Sequence, residues 1–555
     1  MNIKERVLQT PRSDWPVADR ELSGPGKFFS LYGGEHIAAT EFVIGATLVQ
    51  YGCSATDILI GLAIGNILAT LCFALLCAPI ATDTRLSLYT YLGRVVGKKV
   101  QKLYNFIFGI GFAALGATGI CVSATAIRRI LNVPIQHEWY PTSIKFVLIV
   151  LVLGFVIVMV AANGFYGVSK FAGKCVPWMI IIFALAFVVV LPQLADVTGY
   201  GVVHSPKDVF ELLNHYVWPK QTVETGKSLG IGHVIAFAWT VNVALHLGLN
   251  DMSVLRYAKS SKYGYISAVG MFVGHYFAWI GAGIMGATAS LLLNTDLALL
   301  DSGEVTFSVL GYAGLLGVVI AGWTTANPTI YRVTLSFNSV FTKFSYKQMT
   351  YITGSIITLV ACFPCIQRAS DVLTYLGLLV VGMGAVCIAE HLVFPKIGYT
   401  RYWNLYRENK VNLAALLAWG LSLVFFVIML FTHPIHQNFW FIPTFLIAFI
   451  SYIFLAGMMG AKEKYPEKEL EEKEYEEQLQ QYVNEQLIET KQKEDTVLTK
   501  VLTVGSYAML VAMLCVGVIY GSGKISTDAM KSGEFIFTIL YFACSIVEFI
   551  SEEKA

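Results

Sequence analysis

Two stretches decide the fold of this chain: Gly61-Leu-Ala-Ile-Gly65-Asn66-Ile-Leu-Ala69 and Gly270-Met-Phe-Val-Gly274-His275-Tyr-Phe-Ala278. Both read G-x-x-x-G-[N/H]-x-x-A, and each lies inside a long apolar run. Runs of about 20 apolar residues match a hydrocarbon core of about 30 Å. In hydrocarbon every backbone polar group needs an internal partner, so such runs are helices. The chain carries roughly fourteen of them. They lie near 28–51, 55–81, 103–128, 144–163, 174–195, 230–250, 263–293, 306–338, 347–366, 370–393, 411–432, 437–460, 499–520 and 534–550. The two motif copies fall in the second and the seventh, an odd number of spans apart, so they run in opposite directions. That is the pattern of a five-plus-five inverted repeat. Small-xxx-small pairs also occur at ordinary helix contacts. The shared polar residue and the shared alanine favour the repeat.

Composition agrees with an all-α integral membrane protein. Of 555 residues, 56% are hydrophobic and 14% charged, against about 45–50% and about 25% in soluble domains. The net charge of +2 says nothing about partners, and without a concentrated basic patch no nucleic-acid partner is expected. Met1–Lys27 is polar and has no apolar core, so no cleavable signal is expected. Most of the ten cysteines lie singly in apolar runs; Cys362 and Cys365 form a CxxC without a second pair, and free thiols are expected. No nucleophile–base motif, HExxH, P-loop or dinucleotide fingerprint is present, so no enzyme and no cofactor are expected.

Lysine and arginine set the expected orientation. They crowd the N-terminus and the loops holding Arg85–Lys102, Arg256–Lys262 and Lys396–Lys410, whereas Gly52–Asp57, Asn294–Glu304 and Thr432–Asn438 carry none. Arg128 and Arg129 dissent. Both termini then lie in the cytoplasm of a cell inner (plasma) membrane. The expected organisation is an N-terminus (1–27), a first repeat (28–195), an extracellular loop (196–229), a second repeat (230–393), spans 11–12 (394–460), an acidic cytoplasmic segment (461–498) and spans 13–14 (499–555). In the acidic segment Tyr475, Leu479, Tyr482, Leu487 and Ile488 fall near helical spacing. The helix is either a solvated connector or a docking element.

Under the repeat, spans 1 and 6 correspond, and both are polar in the middle. Span 1 reads Tyr32-Gly33-Gly34-Glu35-His36-Ile37-Ala38-Ala39-Thr40-Glu41; span 6 reads Trp239-Thr240-Val241-Asn242-Val243-Ala244-Leu245-His246, then Asn250-Asp251. Such spans are expected to break, exposing backbone groups at mid-membrane depth to ions and small polar substrates. A charge at the bilayer centre costs roughly 2.5–3.5 kcal/mol on insertion scales. Glu35 and Glu41 must therefore be paired, hydrated or protonated, unless Glu35 sits in water at the span's end. Span 8 carries Ala321-Gly322-Trp323-Thr324-Thr325-Ala326-Asn327-Pro328. Its two hydroxyls either join a neutral oxygen cage for a hard cation or back-bond to the helix and pack.

Here the sequence resembles the nucleobase–cation symporter family, of the purine-cytosine permease type, over residues 15–400. The resemblance rests on Ala321–Tyr331, on Gly382-Met-Gly-Ala-Val-Cys-Ile-Ala-Glu390 and on Arg256-Tyr257-Ala258-Lys259. It implies the leucine-transporter fold and sodium-coupled uptake of a nucleobase or related planar heterocycle by alternating access. It places sodium on the hydroxyls of Thr324 and Thr325 and on the carbonyls of Ala321, Gly34 and Ile37. It places the substrate against Phe112, Gly116, Trp239, Asn242, Ala38, Glu41 and Asn327. Asp251-Met-Ser-Val-Leu-Arg256, Ala326-Asn327-Pro328 and the two glutamates of span 1 depart from the family pattern. The expected partners are a small molecule, sodium and the lipid bilayer. A proton-coupled transporter of another small substrate, cationic or neutral, using Glu41, and a transporter-like sensor stay open, as does the oligomeric state.

Overall fold

The computed structural model describes residues 2–38, 40–220, 229–364, 369–486 and 496–554. Cys365, Leu487 and Ile488 lie outside the described residues. Among the described residues, eleven helices are long and apolar enough to cross a membrane: Ala55–Thr84, Lys98–Ile130, Ile144–Ala161, Gly164–Thr198, Ser261–Leu293, Ser302–Val340, Thr374–Ile397, Leu413–Thr432, Gln437–Met459, Val497–Gly521 and Thr527–Ser551. In chain order these are spans 2–5, 7, 8 and 10–14. Span 9 is the shorter Tyr346–Ala361. Spans 1 and 6 are each broken, into Pro25–His36 and Thr40–Val49 and into Ile231–Val243 and Met252–Leu255.

The repeat motif explains how the halves interlock. A Cβ on Gly65 would lie 2.5 Å from Cβ of Ala238, so the second span presses on the sixth. A Cβ on Gly274 would lie 2.4 Å from the His36 carbonyl oxygen, so the seventh presses on the first. Each glycine-bearing helix thus grips the broken helix of the other half. Ala69 and Ala278, the last motif positions, are both fully buried. Spans 1, 2, 6 and 7 form a bundle with a polar interior.

Three local expectations are corrected or sharpened. The last span begins at Thr527, seven residues before the apolar run at 534. Its polar first turns are used internally, since Lys531 donates to the Ser308 carbonyl at 2.7 Å. Arg128 and Arg129, the dissenters from the charge rule, are neutralised locally. Arg128 holds Asp301 with two bonds of 2.8 and 2.7 Å, and Arg129 bonds Glu304 at 2.9 Å. The acidic segment forms a helix over Pro466–Gln486 that docks on the chain's own N-terminus. Tyr475, Leu479 and Val483 are buried with Val7 and Ala18. Arg6 pairs with Glu472 at 2.6 Å and lies 3.6 Å over the Tyr475 ring.

Spans 13 and 14 form a hairpin against spans 5 and 8. The Trp178 indole donates to Thr538 at 3.0 Å, the Tyr541 hydroxyl donates to the Lys174 carbonyl at 2.8 Å, and Lys174 pairs with Glu548 at 2.7 Å.

Candidate functional site

The break in span 1 faces the hydroxyl pair of span 8. The helix ends at His36, and Ile37 leaves helical geometry at φ −86°, ψ 67°. Gly34 faces Thr324, since a Cβ there would sit 3.7 Å from the threonine Cβ. The Thr324 hydroxyl donates to the Ile320 and Ala321 carbonyls at 3.0 and 3.1 Å. The Thr325 hydroxyl donates to the Ala321 carbonyl at 2.9 Å and to the Glu35 carbonyl at 3.3 Å. Each hydroxyl back-bonds to its own helix, as the packing reading expects, and Thr325 also bridges to span 1. The bridging carbonyl is that of Glu35, not of Gly34 or Ile37. Gly34 is still within the helix, and Ile37 caps it by donating to the Gly33 carbonyl at 2.9 Å. The atoms gathered here are neutral oxygens, a ligand type that hard cations accept.

Beside this point lies a buried charge network. Arg332, two turns beyond Thr325, reaches both oxygens of Glu35 at 2.5 and 3.0 Å and Asp251 at 3.1 Å. Asp251 also accepts from His246. Glu35 is thus paired rather than free in water. Glu41 is buried in the second half of span 1, where Thr40 donates to it at 3.2 Å and the Trp279 indole also donates. Neither carboxylate is left bare, so the expectation that Glu41 meets substrate directly has no support in its bonding.

The polar residues of the two motif copies converge on Asn242. Its amide nitrogen donates to Asn66 at 2.8 Å, and its oxygen accepts from His275. The amide thus makes one bond as donor and one as acceptor inside the bundle. Trp239 stands on the same side, donating to the Cys72 sulfur at 3.5 Å. Gly116 faces spans 8 and 9. A Cβ there would meet Ile357 at 3.2 Å and Thr329 at 3.4 Å, so this glycine lets span 3 pack on spans 8 and 9. Asn327, oriented to satisfy both its ends, donates to the Ile157 carbonyl at 3.0 Å and accepts from Trp323 at 3.2 Å. Ala38 is buried at the break itself. Phe112 is buried and stacks on Phe108 at 4.1 Å and 18°.

The break in span 6 covers Ala244–Asp251. Leu249 there holds φ +65°, a left-handed conformation that costs a non-glycine residue energy and persists only where packing enforces it. Span 10 supplies that packing: a Cβ on Gly384 would fall 1.6 Å from the Leu247 carbonyl. A separate cavity of about 400 Å³ lies beyond the second half of span 1, lined in part by Val43, Thr47, Gln50, Thr125, Arg128 and Asp301. None of the residues expected to bind substrate or sodium lines it.

Sequence reasoning missed Arg332 and Trp279. An arginine inside an apolar run is a functional signal by cost alone, but it stands one residue past the stretch that carries the family likeness.

No known family profile and no curated protein sequence matches the chain. Solved structures do. The chain is similar to the structure of Mhp1, described as a nucleobase-cation-symport-1 family transporter in a closed conformation with bromovinylhydantoin bound. The TM-score is 0.63 at 14% identity, over 85% of this chain and 99% of that one. An inward-facing conformation of Mhp1 matches at 0.56 and 15%, over 81% and 94%. The substrate-bound outward-open state of a Na+-coupled sialic acid symporter matches at 0.54 and 14%, over 82% and 94%. The fold is therefore the leucine-transporter type, with four further spans.

Proposed function

We propose that the chain is a secondary active transporter of the nucleobase-cation-symport-1 family, a sodium-coupled uptake symporter for a nucleobase or related small planar heterocycle. One observation carries this reading. The Thr325 hydroxyl reaches the span 1 break at the Glu35 carbonyl, 3.3 Å away, in a fold shared with a Na+-coupled symporter. Sodium is held by Thr324, Thr325 and the Ala321 carbonyl, with the carbonyls of the span 1 break completing the cage. A cation there ties span 1 to span 8, and its loss frees the two to move apart, which is alternating access. Moving one charge down 100 mV supplies roughly 2.3 kcal/mol, about fifty-fold accumulation. Phe112 and Ala38 are the residues we assign to the substrate ring, on the strength of the family resemblance. The orientation is that of the charge rule, with both termini and the acidic helix cytoplasmic.

The test is uptake into proteoliposomes of compounds selected by a thermal-shift screen of purines, pyrimidines and hydantoins, with and without sodium. Thr325→Ala is expected to abolish sodium dependence. Sodium-driven uptake that survives the change intact sinks the ion site. A second reading, proton coupling through Glu41, is favoured by the burial of that carboxyl among Thr40, Trp279 and His275. Uptake that follows pH and ignores sodium would select it.

A further inference from the structure

The helix that carries span 8 is not one straight rod. Gly311 holds φ 63° and ψ −144° inside it, a conformation open to glycine and to almost no other residue. Eight residues of straight helix cover about 12 Å. Yet a Cβ on Gly314 would lie 2.6 Å from the carbonyl oxygen of Thr306. The chain therefore turns a sharp corner, with a first leg over 302–310 and the span proper after it. Arg128 holds the start of that leg through Asp301, and Ser302 and Val305 wall the cavity beyond span 1. A corner interrupts the regular helical ladder, and the carbonyls it frees need other donors in apolar surroundings. Two arrive from outside. Gln193 of span 5 donates to the Val309 carbonyl at 3.1 Å, and Lys531 of span 14 donates to the Ser308 carbonyl at 2.7 Å. The Lys531 stem also lies against the corner, since a Cβ on Gly311 would meet its Cβ at 3.4 Å.

Lys531 heads a polar stripe on an otherwise apolar helix. From Glu534 onward the buried residues of span 14 are Glu534, Thr538, Tyr541, Ser545 and Glu548, spaced by four, three, four and three. That spacing keeps them on one face. Thr538 and Tyr541 bond to span 5, and Glu548 pairs with Lys174 there. Glu534 is the exception: it is 2% exposed and neither of its oxygens has a donor. A buried carboxylate without a partner is costly. A cation nevertheless stands one turn away, because residues three apart on a helix are neighbours. It is Lys531, whose ammonium is turned to Ser308 instead. Asp528, one turn to the other side, is exposed, so water and salt weaken its pull on Lys531.

We propose that Lys531 is a positioning residue with two stations. In the first, seen in this structure, it clamps the corner of span 8 at the Ser308 carbonyl. In the second it swings one turn along its own helix and pairs with Glu534, which leaves the corner free to bend. Each station satisfies one buried group and leaves another without its partner, so neither holds Lys531 outright. Spans 13 and 14 thereby acquire a role. They splint the helix that carries Thr324 and Thr325, at the point where it is weakest. The clamp itself does not depend on the transport reading above. Its effect on uptake does: a corner that bends in every cycle slows turnover when it is held shut.

The experiment is hydrogen exchange of the full chain in lipid nanodiscs, read by mass spectrometry over residues 309–316. Lys531→Met keeps the apolar stem and removes the donor. It is expected to speed exchange there about tenfold, the loss of one hydrogen bond from a charged group. Lys531→Arg keeps a charged donor and is expected to stay within about twofold of the wild type. Glu534→Gln removes the charge of the second station and is expected to slow exchange about threefold. The clamp is overturned if Lys531→Met leaves exchange unchanged. It is overturned equally if Lys531→Arg speeds exchange as much as Lys531→Met, because packing then explains the contact. The second station falls if Glu534→Gln leaves exchange unchanged or speeds it. Should Lys531→Met not fold, Glu534→Gln still decides, since without a clamp that change has nothing to slow. Sodium-driven uptake is the separate readout. Glu534→Gln is expected to lower its turnover about threefold with half-saturation unchanged. A wild type without uptake overturns the transport reading and leaves the exchange result standing. Wild-type uptake with full turnover in Glu534→Gln overturns the link between clamp and cycle.

Discussion

Asn66 and His275 hold the same place in two copies of one motif, and both bond to Asn242. The second copy differs in one respect: its polar residue can carry a proton. The packing around the two positions is alike, with a glycine one residue before pressed against the broken span of the other half. Chemistry is where they part. His275 touches Glu41 and stacks on Trp279 at 4.7 Å and 9°, whereas Asn66 back-bonds to the Leu62 carbonyl at 2.8 Å. The repeat thus preserves the packing around the two broken spans, and puts a titratable ring at this motif position in one half only. Ways to break this comparison differ in the size of effect expected.

The largest effect belongs to the glycines that make the halves alike. Gly65→Leu and Gly274→Leu each force a side chain into a neighbouring helix with no room to yield. Overpacking costs typically about 1–3 kcal/mol, and more where backbone blocks relaxation. Gly274 faces a carbonyl oxygen and Gly65 a side-chain methyl, with backbone close behind it. Both variants should lose the monodisperse peak in size-exclusion chromatography, Gly274→Leu more completely. A Gly274→Leu protein that elutes and melts like the wild type would break the equivalence of the two contacts.

Next comes Arg332→Met, which keeps length and removes charge. It leaves Glu35 and Asp251 facing each other without a counter-charge. Removing one partner of a buried pair costs about 3–5 kcal/mol. A lowered melting temperature in detergent is expected, with partial recovery in Arg332→Met/Glu35→Gln. No recovery in the double variant would mean that Arg332 acts through packing alone.

His275→Asn makes the two copies identical and sharpens the comparison most directly. An asparagine amide can still donate to Asn242, so the loss should be about 1 kcal/mol, one neutral hydrogen bond or less. Thermal stability should change little while coupling to pH is lost. The reverse change, Asn66→His, inserts a larger ring where Asn66 is fully buried and should destabilise more. Equal effects would show that the two positions are not distinguished by their surroundings.

The sequence carried the fold further than the site. Apolar runs, the reversed motif and the polar middles of spans 1 and 6 are local signals, each readable within a few residues. The bonds that define the site are not local. Glu35 meets Arg332 across almost three hundred positions, and the two motif residues meet only through a third, Asn242. Asn242 was visible as a polar residue in an apolar span, but which face it turns depends on the helix packed there. Gly116 shows the same limit: which side chains a glycine admits, here Ile357 and Thr329, depends on helices far along the chain. Arg128 and Arg129 broke the charge rule because their partners, Asp301 and Glu304, arrive from a distant loop.

The smallest expected effect lies outside the repeats, where the acidic helix has no symmetric counterpart. Asp19 near the N-terminus bonds both Arg85 and, at 2.8 Å, Asn484 of that helix. The Arg85 guanidinium holds the Asp19 carboxyl below its usual range. A carboxyl whose folded value is depressed contributes above its unfolded value and loses that contribution as pH falls through the folded one. Acid should therefore loosen the docking of Pro466–Gln486. Exposed ion pairs are worth about 0.2–1 kcal/mol and are screened by salt. Asp19→Asn should accordingly raise hydrogen exchange in residues 2–22 by a few-fold at most. High salt should mimic the variant, and the exchange of spans 1 and 6 should not move. If their exchange rises too, the docked helix and the bundle are one cooperative unit, and the boundary drawn here between repeat and addition is wrong.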